Sequence, residues 1–237
     1  MSVDSLYLDL LKKSILDIIY QDQPRTHNDI YPLYADSMIG KLAMDNLEYC
    51  LESVIQNNIP GDFIETGVWR GGATIFMRGF LKAKGITDRK VWVADSFNGI
   101  PAPSEDYPAD KWDFSDAEVL KVSQEQVMKN FAKYNLLDEQ VIFLKGWFCD
   151  TLPTAQIDEI AILRLDGDLY QSTWEALENL YPKLSVGGFA IIDDYNIGIP
   201  CCAQAVEDYR AKHQIKDPML PVPPYGVFWK KSAGFIQ

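Results

Sequence analysis

From Asp62 onward the chain alternates short apolar runs with segments of helical periodicity, the pattern of a mostly parallel sheet covered by helices on both faces. Runs at Phe63–Glu65, Lys90–Ala94, Val141–Leu144, Ile160–Leu165, Phe189–Ile192 and Val227–Lys230 predict strands. Helices are predicted between them at Ala73–Lys84, Glu118–Tyr134, Ser172–Leu180 and Cys201–His213. The last strand follows a proline-rich run, Pro218 to Pro224, and is expected to enter antiparallel at an edge. Phe97 to Ser115 shows no period and is rich in proline, aspartate and aromatics. A loop of that length in a compact domain is usually functional, often a lid.

Ahead of this region, Leu8, Leu11, Ile15, Ile18 and Ile19 fall at helical spacing and predict an amphipathic helix over Leu6–Tyr20. Gln21–Pro32 reads as a linker and Leu42–Asn57 as a second helix, stopped by the turn at 57–61. A length of 237 residues suits one α/β domain with an extension: residues 1–60 are expected as a helical extension and 61–237 as the domain. Lysines and arginines number 22 against 34 acids, a net charge of −12 that disfavours nucleic acid and anionic membranes as partners. No apolar run is long enough to span a bilayer, and Met1–Asp4 lacks the basic start of a signal peptide. Cys50, Cys149, Cys201 and Cys202 form no C-x-x-C pair, which suggests reduced thiols in a cytoplasmic protein.

In such sheets ligands bind beyond the carboxyl ends of the strands. The first strand ends in Glu65-Thr66-Gly67-Val68-Trp69-Arg70-Gly71-Gly72, a turn whose glycines permit close backbone approach at a helix N-terminus, a ready anion site. A plain β–α turn would use glycines too, and the G-x-G-x-x-G spacing of a dinucleotide fold is missing. The second strand ends in Asp95-Ser96, where a carboxylate can accept from ribose hydroxyls or simply close a turn. The third leads into Gly146-Trp147-Phe148, an aromatic pair that either flanks an adenine ring or belongs to the core.

The fourth and fifth strands give the sharpest signal. They deliver Asp166-Gly167-Asp168 and Asp193-Asp194. Four carboxylates meeting at one edge repel each other unless a cation neutralises them, and all-oxygen ligands favour Mg²⁺, Mn²⁺ or Ca²⁺. Capping of the following helices is the plainer alternative. His27 and His213 fall at no strand end and read as surface residues.

Five ordered motifs together resemble the macrocin O-methyltransferase (TylF/MycF-type) family. They are Glu65–Gly72, Asp95-Ser96-Phe97-x-Gly99-Ile100-Pro101, Lys145-Gly146-Trp147-Phe148-x-Asp150-Thr151-Leu152-Pro153, Asp166-Gly167-Asp168-Leu169-Tyr170-x-Ser172-Thr173 and Asp193-Asp194-Tyr195. The resemblance runs from Glu65 to the C-terminus, with a looser fit in the N-terminal helices. It implies a Rossmann-like class I methyltransferase fold, a seven-stranded and mostly parallel sheet with an antiparallel last strand. It implies S-adenosylmethionine, with its methionine end at Glu65, Thr66, Gly67 and Gly71, its ribose at Asp95 and Ser96, and its adenine near Gly146, Trp147 and Phe148. Asp166, at the cofactor's edge, would hold Mg²⁺ together with Asp193 and Asp194, and Asp168 would be the general base. Family members act on sugar hydroxyls of natural products, so the expected partner is a glycosylated small molecule, and a homodimer is expected. A polyketide, peptide or catechol-type hydroxyl is the alternative acceptor; the catechol class uses a lysine base, and none follows Asp166 at the helical start. A nicotinamide-dependent oxidoreductase and a non-catalytic scaffold are the competing functional classes.

Overall fold

The computed structural model describes residues 2–19 and 32–234. Helices α1 (Val3–Ile15) and α2 (Lys41–Gln56) precede β1 (Asp62–Thr66), α3 (Gly72–Ala83) and β2 (Val91–Asp95). Then follow α4 (Gln124–Lys133), β3 (Val141–Lys145), the short α5 (Phe148–Thr151), β4 (Ile160–Leu165), α6 (Tyr170–Leu180) and β5 (Leu184–Ile192). The last elements are α7 (Cys201–Lys212), β6 (Leu220–Val222) and β7 (Gly226–Lys230). One seven-stranded sheet runs β3-β2-β1-β4-β5-β7-β6. Its strands are parallel except β7, which is antiparallel to both β5 and β6.

Both sheet faces are covered, which is why the strands read as unbroken apolar runs rather than alternating ones. Phe63, Val91, Val93 and Ile162 face α1, α2, α3 and α4, in one core with Leu11, Leu47, Phe76, Phe80 and Phe131. Ile64, Trp92, Leu163 and Ile192 face the other way, against Leu177 of α6 and Val206 and Tyr209 of α7. Lys12 of α1, buried, pairs with Asp45 and Glu48 of α2 and ties the two N-terminal helices together. The expected boundary after residue 60 falls in the turn between α2 and β1.

Four expectations need correction. The first helix ends at Ile15 rather than Tyr20, because Leu16 closes it and Asp17 turns left-handed (φ 53°). The helix expected over 118–134 is split into a 3-10 turn at Glu118–Leu120 and α4. Ser123 interrupts it as an N-cap, its hydroxyl accepting from the Gln126 N–H at 3.2 Å. The proline-rich run contains β6, whose Pro221 is tolerated on an outer strand. β7 is therefore antiparallel as expected but internal, with β6 outside it. The linker expected over 21–32 lies, except for Pro32, outside the described residues, as does His27. Among the described residues no helix is long and apolar enough to cross a membrane.

Candidate active site

The strand order reverses between β1 and β4, and a cleft of about 280 Å³ opens beyond the carboxyl ends there, where such sheets bind ligands. Gly67, Asp95, Ser96, Trp147, Phe148, Asp166 and Asp168 line it. Of the other residues expected at a cofactor, Glu65, Thr66, Gly71 and Gly146 shape the strand ends and turns behind that lining. Trp147 and Phe148 are half-buried and open to the cleft, and Phe148 also touches the core beneath. The unperiodic loop closes one side through Gly99, Ile100, Pro101, Ala102 and Ser104. Met38, Leu120, Cys149, Gln171 and Glu175 complete the wall, and none of these five carries a sequence signal.

The glycine turn is tied down from several sides. Gly67 (φ 81°) sits so close to β4 that a Cβ there would lie 1.7 Å from the Asp166 carbonyl oxygen. The Asp95 carboxylate accepts from the N–H groups of Val68 and Phe97, each at 2.7 Å, and so binds the turn to β2. Burial raises the Asp95 pKa, and these backbone donors counter it. Gly71 and Gly72 serve packing: the space a Cβ would need is filled by Val127 at the first and by Asp36 and Ser37 at the second.

Trp69 and Arg70 stand where bare backbone would face a pyrophosphate, and the structure shows what they do there. The Trp69 indole N–H donates to the Val119 carbonyl at 2.8 Å. One Arg70 nitrogen donates to the carbonyls of Pro32, Leu33 and Ala35 at 3.0, 3.1 and 2.8 Å. The turn therefore clamps both segments that bring Met38 and Leu120 to the cleft.

At the ends of β4 and β5 the four acids converge as expected. One oxygen each of Asp166, Asp193 and Asp194 lies within 4.8 Å of the others. None caps a helix: the N-cap positions of α6 and α7 are Leu169 and Pro200. Helix capping, the plainer explanation from sequence, is therefore ruled out. Asp168 is held left-handed (φ 59°), and its N–H donates to Asp194 Oδ2 at 3.0 Å. Beneath the acids lies Arg164, fully buried. Its guanidinium meets Asp166 Oδ2 at 2.7 Å, Asp193 Oδ1 at 2.6 Å, and the Glu65 carboxylate. One cation among five carboxylates leaves charge uncompensated. Burial first, then the neighbouring Asp166 and Asp193, pushes Asp168 up to about 7; burial lifts Asp193 to about 6 against the pull of Arg164, and raises Asp194 as well. Burial likewise lifts Glu65 to about 8. A donor set of three converging carboxylates, still short of positive charge, fits a hard divalent cation.

Sequence reasoning did not single out Arg164, although a lone arginine in the apolar run Ile160–Leu165 is itself a signal of a buried ion pair. The macrocin O-methyltransferase (TylF) family model matches residues 12–231, reaching back into α1. The demethyldecarbamoylnovobiocin O-methyltransferase of Streptomyces niveus is 50% identical, over 98% of this chain and 95% of its own. The mycinamicin III 3''-O-methyltransferase of Micromonospora griseorubida is 46% identical, over 96% and 97%. The solved structure of the O-methyltransferase NovP superposes with a TM-score of 0.91 at 50% identity, covering 97% of this chain and 99% of its own. The oxidoreductase and scaffold alternatives give way to these matches. A methyltransferase-type sheet, a cleft at its switch point and a full-length match lead to one conclusion: the chain belongs to the macrocin O-methyltransferase family and is an S-adenosylmethionine-dependent O-methyltransferase.

Proposed function

We propose that the enzyme methylates a sugar hydroxyl of a glycosylated natural product, with Mg²⁺ held by Asp166, Asp193 and Asp194. The carrying observation is the convergence of those three carboxylates beside a fourth, Asp168, that is not needed to complete the set and opens to the same cleft. The two relatives are named for methylating demethyldecarbamoylnovobiocin and mycinamicin III, which supports the acceptor class.

In this reading the turn Glu65–Gly67, with Gly71 behind it, takes the methionine end of the donor, Asp95 and Ser96 its ribose, and Gly146, Trp147 and Phe148 its adenine. Asp95 and Ser96 both line the cleft, which supports the ribose assignment. Bound at its site, Mg²⁺ would supply a Lewis acid that lowers the pKa of a nearby hydroxyl. Asp168 accepts the hydroxyl proton as the oxygen attacks the methyl carbon; the carbon–sulfur bond breaks and its electron pair stays on sulfur. The chain's further contribution is alignment and exclusion of water by the covering segments. A homodimer is supported by the exposed apolar side chains Leu33, Tyr34, Leu42 and Tyr49, and sedimentation velocity tests it.

The test is methyl transfer from S-adenosylmethionine to two probe acceptors, demethyldecarbamoylnovobiocin and mycinamicin III, with Mg²⁺ and then with a chelator. Turnover that the chelator abolishes is expected. Turnover indifferent to the chelator would remove the metal, and transfer only to non-sugar hydroxyls would remove the acceptor class.

A further inference from the structure

Helix α6 begins directly after the turn that presents Asp168, and it provides no cap of its own: its N-cap residue is Leu169. Two of its first backbone donors are satisfied by the unperiodic loop. Asp110, in the unperiodic loop and only 5% exposed, accepts from the Tyr170 N–H through Oδ1 at 2.7 Å and from the Gln171 N–H through Oδ2 at 2.9 Å. The same stretch is fixed twice more, by the Tyr107 ring against Tyr170 (centroids 6.2 Å apart) and by Cys201 Sγ donating to the Ala109 carbonyl at 3.4 Å.

A charged cap acting across 60 residues of sequence is a strong tie, because both carboxylate oxygens meet N–H groups at the positive end of the helix. What it ties down matters. Asp168 is a non-glycine residue in the left-handed region, a conformation that persists only where its surroundings enforce it. One side of its turn is held by the bond from its N–H to Asp194. The other side is the first turn of α6, which Asp110 holds.

We propose that Asp110 is a positioning residue for Asp168: it couples the seating of the loop over the cleft to the alignment of the general base. The inference rests on the reading of Asp168 given above. Because Gly99, Ile100, Pro101, Ala102 and Ser104 of the same loop line the cleft, the base is aligned when the cleft is covered and slack when it is open.

The test compares Asp110→Ala, Asp110→Asn and Asp168→Asn, using the better of the two probe acceptors. A base displaced by a fraction of an ångström predicts that Asp110→Ala lowers kcat about 10- to 100-fold, while the KM for S-adenosylmethionine and the calorimetric Kd for S-adenosylhomocysteine stay within about threefold. Asp110→Asn keeps one acceptor oxygen and recovers part of the loss; it also carries the test should the alanine variant not fold. Hydrogen exchange of the wild type and Asp110→Ala, both with S-adenosylhomocysteine, adds an acceptor-independent readout. Faster exchange in both 97–117 and 166–171 is expected. Unchanged kcat, a kcat loss matched by an equal loss of cofactor affinity, or exchange that rises in the loop alone overturns the proposal. Full turnover by Asp168→Asn would instead remove the base reading and leave the exchange result standing.

Discussion

The two halves of the cleft are built on opposite electrostatic plans. On the β1–β2 side the one acid lining the cleft, Asp95, has its carboxylate met by backbone N–H groups at 2.7 Å, which offset the cost of burying it. On the β4–β5 side four acids crowd one another and share one guanidinium with Glu65. The first half is finished before any ligand arrives. The second holds carboxylates whose mutual repulsion a divalent cation, as proposed above, would relieve.

The largest expected effect tests whether the acids differ in role. Asp168→Asn should lower kcat by about 10²- to 10⁴-fold, the range of a lost general base, with calorimetric Mg²⁺ affinity retained. Loss of the metal together with the rate would merge Asp168 with the other three. Next, Arg164→Met should destabilise the metal-free protein by about 3–5 kcal/mol in denaturant melts, the cost of leaving buried charges unpaired. A smaller loss with Mg²⁺ than without would show that the guanidinium and the metal answer the same charge.

A smaller effect is expected on the finished half. Asp95→Asn replaces one acceptor oxygen with a donor facing a backbone N–H and should cost about 1–3 kcal/mol of stability, with weaker S-adenosylhomocysteine binding by calorimetry. Added Mg²⁺ should not restore it. The smallest effect has the opposite sign. Asp194→Asn keeps an acceptor for the Asp168 N–H but removes a repelled charge, so the metal-free protein should gain about 1 kcal/mol, or roughly 2–4 °C in Tm, while Mg²⁺ affinity falls. A lower Tm in scanning calorimetry would mean that the second half is no more strained than the first.

Much of this contrast is written locally in the sequence. Asp166-Gly167-Asp168 and Asp193-Asp194 follow apolar runs that read as buried strands, and the parallel pairing of those strands brings the acids to one edge. Glycine positions were legible as turns but not in purpose, since only the fold reveals that Gly72 yields space to Asp36 and Ser37. Other features depend on partners far away in the chain. Trp69 answers to Val119 and Arg70 to Pro32–Ala35, and no local pattern encodes those contacts. Asp110 sits in a stretch without period, and its partners are two backbone N–H groups, which leave no mark on side-chain sequence. β6 was hidden because three residues, one of them proline, are too short a run to register as a strand.

The internal position of β7 has a consequence for how the enzyme is made. Ile192, the last strand residue before Asp193, pairs with Val227, and the Asn196 N–H bonds to the Tyr225 carbonyl at 2.8 Å. Until residues 220–230 leave the ribosome, β5 is an open edge and the backbone bearing two of the acids lacks its outer support. The frame around β1 and β2 can form early in synthesis, whereas the acid cluster is assembled among the final events. A nascent chain therefore carries the β1–β2 half of the cleft before it carries the acid cluster.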